Sequence, residues 1–183
     1  MGGAVGDLAT DEILNFLQRL GERYPGTGSV FLLGGSALCL LGNPRRTLDI
    51  DYLAECPPDQ AAELRMAIET LAAEMRLEIE AVPLAEFIPL PDGVQARHRW
   101  VGQFGSLTVY VYDPYSIALS KVGRGFEADL QDVLFLLRQG IITLERLEGY
   151  VAAALPHAAQ FDIIPAELRR HLEAIRRLVR EQG

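Results

Sequence analysis

The fold of this chain is most constrained by two neighbouring apolar stretches, one ended by a glycine pair and one containing two aspartates. Gly34 and Gly35 follow the apolar run 30–33, and Asp49 and Asp51 lie one residue apart within the next run. Because side chains alternate between the two faces of a strand, both aspartates point to the same face. Adjacent carboxylates repel each other unless a cation lies between them. The pattern therefore predicts a strand that ends in a glycine turn, a short helix, and a second strand with a cation-binding acidic face.

The residues after the first strand are small enough to bring the backbone close to a bound anion. Gly34 and Gly35 allow a tight turn whose bare N–H groups can approach phosphate, and Ser36 adds a hydroxyl. Paired carboxylates bind Mg²⁺ together with substrate phosphates. Two such ions activate an attacking hydroxyl and hold leaving pyrophosphate. The combination predicts metal-assisted nucleotide chemistry, and the structural alternative is a plain strand-to-helix turn beside a solvated acidic strand.

Composition limits the classes of partner. The net charge of −8 argues against an extended nucleic-acid surface, and an apolar content of 49% is typical of a globular protein. No apolar run is long enough to cross a membrane, and the N-terminus lacks a basic segment followed by an apolar one. We therefore expect a cytoplasmic protein without a membrane partner.

Hydrophobic periodicity predicts a strand-containing core over residues 1–112 and a helical annex over 113–183, which is an α/β (α+β) arrangement. No linker is long enough for independent domains, so we expect the annex to pack on the core as one compact unit. Asp113 and Pro114 predict a helix N-cap followed by a first-turn proline, and residues 84–96 are predicted to be a loop. The predicted strands cover 29–33, 47–54, 76–82, 97–104 and 107–112. The predicted helices cover 8–24, 35–42, 59–75, 114–123, 126–139, 143–154 and 165–181.

Two further patterns are interpreted as structural. Trp100, Tyr110 and Tyr112 lie on the predicted hairpin, and we expect them in the core rather than in a base-stacking platform. The last helix has an apolar row and a basic face, which we interpret as a docked helix with solvated arginines. The alternative is a contact surface for tRNA or an acidic partner. The arginines of that face are Arg169, Arg170, Arg176, Arg177 and Arg180.

The glycine and aspartate motifs resemble those of the nucleotidyltransferase superfamily, which has the fold of DNA polymerase beta. The chain is also similar to the minimal, toxin-type members known as AbiEii-like toxins. The superfamily resemblance rests on Gly34-Gly35-Ser36 followed by Asp49-Ile50-Asp51. The likeness to the toxin-type members rests on residues 32–38, Gly42, Arg45-x-Thr47-x-Asp49-Ile50-Asp51, and Leu119-Ser120-Lys121 followed by Asp129 and Asp132.

This resemblance implies a nucleotidyltransferase-like mixed sheet flanked by helices, with a C-terminal helical annex. It also implies transfer of a nucleoside monophosphate from an NTP to a hydroxyl, with release of pyrophosphate. In that picture Gly34, Gly35 and Ser36 would hold the triphosphate, and Asp49 and Asp51 would hold two Mg²⁺ ions.

The resemblance implies a third acid on a neighbouring strand. Glu80 is the favoured candidate, and Glu78 shares its face; the alternative is that both are solvated glutamates. A glutamate in place of the commoner aspartate moves the ligand oxygen because its side chain is longer. Arg45 would lie near the phosphates or brace the acidic strand.

The predicted annex contains charged residues that can act either in nucleotide binding or in the structure of the annex. Lys121 is the only lysine among 17 basic residues, and the resemblance implies that it contacts the nucleotide phosphates with help from Arg124. The alternative is a solvated lysine on the helix surface. Asp129 and Asp132 are three residues apart and share a helix face. They are predicted to pair with Lys121 or Arg124 and fix the annex on the core, or else to form a plain polar face.

Three functions remain open at this level. The first is an active Mg²⁺-dependent nucleotidyltransferase acting on tRNA or a protein hydroxyl, as the toxin of a toxin–antitoxin pair with a cognate antitoxin as partner. The second is an inactive nucleotide-binding or partner-binding module of the same fold. The third is a helper subunit that docks through its basic C-terminal helix. Metal-dependent NTP binding separates the first two from the third, and turnover separates the first from the second.

Overall fold

A computed structural model describes residues 8–182, and these residues form two compact units. The first unit contains the chain up to Val82 together with Arg99–Tyr112. The second contains Pro83–His98 and the residues from Asp113 onward. One division falls after residue 112, and residues 83–98 group with the C-terminal helices. The domain bounds and the packing of core and annex as one unit stay predictions.

The first unit is built on a five-stranded mixed sheet with the strand order β3-β2-β1-β5-β4. Strand β2 is antiparallel to β1 and parallel to β3, whereas β5 is parallel to β1 and antiparallel to β4. The predicted mixed sheet flanked by helices is thus confirmed. The strands are β1 (Gly28–Leu32), β2 (Asp49–Glu55), β3 (Glu78–Ala81), β4 (Arg99–Phe104) and β5 (Leu107–Val111).

Three helices belong to the first unit, and they supply much of its apolar core. They are α1 (Thr10–Arg23), α2 (Gly34–Leu40) and α3 (Ala61–Met75). Phe16 of α1 and Ile68 of α3 are buried, as are Leu32, Ile50 and Val109 of the sheet. Burying side chains of this size contributes about 1.5–3 kcal/mol each, so the apolar side of the sheet fixes its register.

The opposite side of the sheet carries the charged residues, which we call the acidic face: Asp49, Asp51, Glu78 and Glu80. The strand register pairs Asp49 with Glu78 and Asp51 with Glu80. Residues paired directly across two strands point to the same face. The acidic face therefore spans two adjacent strands and alternates with buried residues such as Ile50.

Strand β4 is one of the two edge strands of the sheet. Its position shows that the prediction of a buried Trp100 was wrong. Trp100, which we expected in the core, is 68% exposed, whereas Tyr112 is buried as expected. An edge strand has a neighbour on one side alone, so a large side chain there finds fewer covering residues. Position in the sheet depends on long-range pairing and is not visible in the local pattern.

The second unit is helical and lies in sequence mainly after residue 112. Its helices are α4 (Pro114–Arg124), α5 (Glu127–Arg138), α6 (Leu144–Ala154) and α7 (Pro165–Gln182). The predicted helices agree with these to within a few residues. Short 3₁₀ helices at Leu84–Glu86, Val94–Arg97 and Leu155–Phe161 were not predicted, because such short connectors have no apolar periodicity.

An arginine–aspartate pair explains why residues 83–98 group with the helices. The carboxylate of Asp113 is fully buried, caps α4 by accepting from the N–H groups of Tyr115 and Ser116, and accepts two hydrogen bonds from Arg97 at 2.9 and 2.8 Å. This hydrogen-bonded carboxylate raises the pKa of the Arg97 guanidinium. The Arg97 side chain also lies over the rings of Tyr115 and Tyr150. The predicted N-cap is confirmed.

None of the helices formed by residues 8–182 combines the length and the apolar content that crossing a bilayer requires.

Candidate active site on the acidic face

The turn between β1 and α2 is shaped by close contact with an acidic side chain. Gly34 has a φ of +54°, in the left-handed region that favours glycine. A Cβ atom at this position would overlap Oδ2 of Asp51. The N–H of Leu33 also donates to the carbonyl of Asp51 at 2.9 Å. The glycine turn and the second aspartate are therefore held in direct contact.

Thr47 connects the other glycine to the other aspartate. A Cβ atom at Gly35 would overlap Oγ1 of Thr47, and that hydroxyl donates to Oδ1 of Asp49 at 3.3 Å. Thr47 is buried, and its backbone exchanges two hydrogen bonds with Leu8, at 2.6 and 3.1 Å. Its surroundings thus hold the hydroxyl in place beside Asp49. The sequence indicated Thr47 only as part of a motif and gave no sign of this contact.

The hydroxyl of Ser36 already donates a hydrogen bond within the protein. Its side chain is fully buried, and the hydroxyl donates to the carbonyl of Leu33 at 2.8 Å. This bond ties the first turn of α2 to the end of β1. A contact between this hydroxyl and a nucleotide phosphate stays a prediction.

The acidic face offers a pair of carboxylates for a metal. Asp49 and Asp51 are half-buried on β2, and Glu78 and Glu80 are exposed on β3. Within residues 8–182, no group of three or more His, Cys, Asp or Glu side chains is arranged to hold a metal together. The two aspartates fit Mg²⁺, which is usually held by one or two carboxylates and completed by substrate phosphates and water. Glu80 as a third ligand stays a prediction.

Two arginines precede the acidic strand. The backbone N–H of Arg45 donates to Oδ1 of Asn43 at 3.0 Å, and its carbonyl accepts from the thiol of Cys39. Arg46 forms an ion pair with Glu12 at 2.9 Å. The side chain of Arg45 is exposed, and its contact with phosphate stays a prediction.

Lys121 and Arg124 belong to the second unit, where they form a buried ionic cluster. The ammonium of Lys121 lies 3.2 Å from Asp129 and 2.7 Å from Asp132, and Arg124 lies 2.6 Å from Asp129. Lys121 is 3% exposed. The cluster joins α4 to α5 within the second unit, so the predicted pairing of the two aspartates with these cations is confirmed. Their predicted role in fixing the annex on the core stays a prediction.

The charges and hydrogen-bond partners within this cluster are relevant to the predicted contact of Lys121 with nucleotide phosphates. Two cations face two carboxylates, and Oδ2 of Asp129 is buried with no hydrogen-bond partner among the residues that the structure describes. The Lys121 ammonium already has two carboxylate partners, while the side chain of Arg124 is 56% exposed. Contacts of Lys121 and Arg124 with nucleotide phosphates stay predictions.

Comparisons with known proteins identify the family of the chain and support its fold. No curated protein matches the chain. A crystal structure of an antigenic nucleotidyltransferase-like protein from Paracoccidioides brasiliensis is similar, with a TM-score of 0.50 and 16% sequence identity. The match covers 73% of this chain and 79% of that one, and it shows the fold. The family described as "Nucleotidyltransferase of unknown function (DUF6036)" matches residues 9–162, and the chain therefore belongs to this family.

Proposed function

We propose that the protein is a Mg²⁺-dependent nucleotidyltransferase that moves a nucleoside monophosphate from an NTP to a hydroxyl acceptor. The observation that carries the proposal is the contact of the Gly34 turn with Asp51, on the strand that also presents Asp49. This contact brings a backbone that can approach phosphate next to a carboxylate pair that suits Mg²⁺.

The reaction makes one bond and breaks one. The acceptor hydroxyl gives its proton to water and its oxygen bonds to the α-phosphorus, the bond from that phosphorus to the bridging oxygen breaks, and pyrophosphate leaves. Bound Mg²⁺ would supply the positive charge that stabilises the attacking and leaving oxygens. Asp49 and Asp51 would hold the metal, the Gly34-Gly35 backbone would approach the phosphates, and the Thr47 hydroxyl would fix the orientation of Asp49.

The proposal extends to the toxin-type members of the superfamily. Its support is the motif Arg45-x-Thr47 before the aspartates and the sequence order of Lys121, Asp129 and Asp132. The acceptor is then tRNA or a protein hydroxyl, the protein acts in the cytoplasm, and a cognate antitoxin is the expected partner. The proposal includes Glu80 as an additional metal ligand. It includes three additional phosphate contacts, from Arg45, Lys121 and Arg124.

A second candidate function is a nucleotide-binding or partner-binding module without turnover. The observation that favours it is the lack, within residues 8–182, of a group of three metal-binding side chains. Such a module would bind NTP in the presence of Mg²⁺ and release no pyrophosphate.

The test is transfer of label from each α-³²P NTP with Mg²⁺, using total tRNA and cell extract as acceptors. We expect the wild type to label an acceptor and the Asp49→Ala/Asp51→Ala variant to label none. Glu55→Ala is the matched control, because Glu55 is an exposed acid on the same strand and outside the pair. Mg²⁺-dependent NTP binding without transfer would overturn the enzyme and favour the module.

Replacing Thr47 by valine should lower the rate of transfer about ten- to a hundredfold. The substitution keeps the shape of the side chain and removes the hydroxyl bound to Asp49, and a hydrogen bond to a charged group contributes about 1.5–3 kcal/mol. The measurement is kcat/KM for the NTP, together with the urea midpoint of unfolding. Thr47→Ser keeps the hydroxyl and should retain most activity; equal rates for both variants would contradict a positioning role.

A further inference from the structure

An aromatic row continues across the sheet on the side that carries the acidic face. Phe31 on β1, Tyr110 on β5 and Trp100 on β4 are successive cross-strand partners. Phe31 is also paired with Leu53, which lies two residues after Asp51 on β2 and so points to the same face. The register therefore places the three rings and the two aspartates on one side of the sheet.

The rings become more exposed toward the sheet edge. Phe31 is buried and stacks on Tyr110, with ring centroids 5.4 Å apart and planes at 17°. Tyr110 is half-buried, and Trp100 on the edge strand is 68% exposed. The indole is thus the open end of a row whose inner members are already packed.

The distance from the aspartates identifies which base the indole would meet. Strands β2 and β4 are three strand spacings apart in the sheet order, which is about 14 Å at about 4.8 Å per spacing. Trp100 is level with Leu53, two residues beyond Asp51 and four beyond Asp49, so it lies about 16 Å from Asp51 and about 20 Å from Asp49 at about 3.3 Å per residue along the strand. This corresponds to about five or six stacked nucleotides at about 3.4 Å each. The base of the reacting NTP is joined to its own phosphates and lies nearer to the metal pair. A base at Trp100 therefore belongs to the acceptor.

We propose that Trp100 is a stacking subsite for a base of a single-stranded nucleic-acid acceptor, an inference that rests on the proposed function. Base–aromatic stacking is tolerant of sequence, because every base has a π face. It also uses neutral rings, so the net charge of −8 opposes it less than it opposes a row of phosphate contacts.

The first test uses the fluorescence of Trp100, which is the single tryptophan of the chain. The probe is a single-stranded RNA of about 12 nucleotides, within the usual range of site sizes. We expect saturable quenching in the wild type. The same quenching is expected in the Asp49→Ala/Asp51→Ala variant, because stacking at Trp100 does not require turnover.

The second test measures the affinity of the same RNA, carrying a fluorescent label, by anisotropy. Trp100→Ala should weaken binding about tenfold, the usual effect of removing one stacking ring. Trp100→Phe keeps a ring and should retain most of the affinity. Met66→Ala is the matched control, because Met66 is an exposed apolar residue of α3 in the same unit, and its affinity should be unchanged.

The outcomes separate this subsite from the proposed reaction. Transfer without quenching, or equal RNA affinity of wild type and Trp100→Ala, overturns the subsite and leaves the enzyme. Quenching without transfer from any NTP supports the subsite and overturns the enzyme. Quenching by a protein acceptor in place of RNA also overturns the proposal, because the exposed indole is then a protein-binding residue.

Discussion

Replacing Lys121 by methionine is expected to lower the free energy of unfolding by about 3–5 kcal/mol, the usual cost of breaking a buried ion pair from one side. Methionine fills a similar volume but leaves Asp132 without the ammonium 2.7 Å away and Asp129 without the one 3.2 Å away. Both carboxylates are buried, so water cannot replace the lost partner. The measurement is urea denaturation of the full chain.

A second variant distinguishes lost charge balance from lost packing. In Lys121→Met/Asp132→Asn the cluster again contains one cation and one carboxylate, since Arg124 still pairs with Asp129. We expect this double variant to regain a large part of the lost stability. A double variant as unstable as Lys121→Met would contradict the electrostatic explanation.

The same pair of variants tests the predicted phosphate contact of Lys121. If the ammonium binds nucleotide phosphate, the refolded double variant will show a raised KM for NTP or no transfer. If its role is to join α4 and α5, the double variant will recover transfer along with stability. The readout is kcat and KM at a temperature where the double variant is folded.

Replacing Gly34 by alanine should reduce transfer at least about a hundredfold, the usual cost of displacing a reacting group by about 1 Å. The new Cβ would overlap Oδ2 of Asp51, so the carboxylate or the turn must move. The φ of +54° adds a backbone strain of about 1–2 kcal/mol for any residue with a Cβ. The measurement is kcat/KM for the NTP.

Gly140→Ala is the matched control for backbone strain. Gly140 has a φ of +64°, and a Cβ there would meet no atom within 4 Å. It should lose a similar amount of stability from strain and keep its transfer activity. Equal losses of activity in the two variants would show that strain, and not the contact with Asp51, is responsible.

Local patterns in the sequence were sufficient for the strands and α-helices and for part of the candidate site. The alternation around Ile50 predicted the strand and the common face of Asp49 and Asp51, because period-two patterns depend only on neighbouring residues. The mixed sheet followed from the family resemblance and is confirmed. The pairing of Asp129 and Asp132 with Lys121 or Arg124 was one of two alternatives, and the spacing of the aspartates on one helix did not decide between them.

Features that depend on distant pairing were missed. Trp100 lies at the sheet edge because β4 pairs with β5 alone, and nothing in the sequence around it states which strand is outermost. The hydrogen bond from Thr47 to Asp49 forms because Leu8 holds the threonine backbone in place. A hydrophobic pattern carries no information on such contacts between remote segments.

The path of the chain has a practical consequence for dissecting the protein. The polypeptide leaves the first unit after Val82, returns at Arg99 and leaves again after Tyr112. A truncation after residue 112 would keep Arg97 but discard the carboxylate that binds it. A fragment starting at Asp113 would keep that carboxylate without its arginine. Neither unit can therefore be produced whole by cutting the chain once. During synthesis, Arg97 leaves the ribosome before β4 and β5, and its partner Asp113 leaves after them.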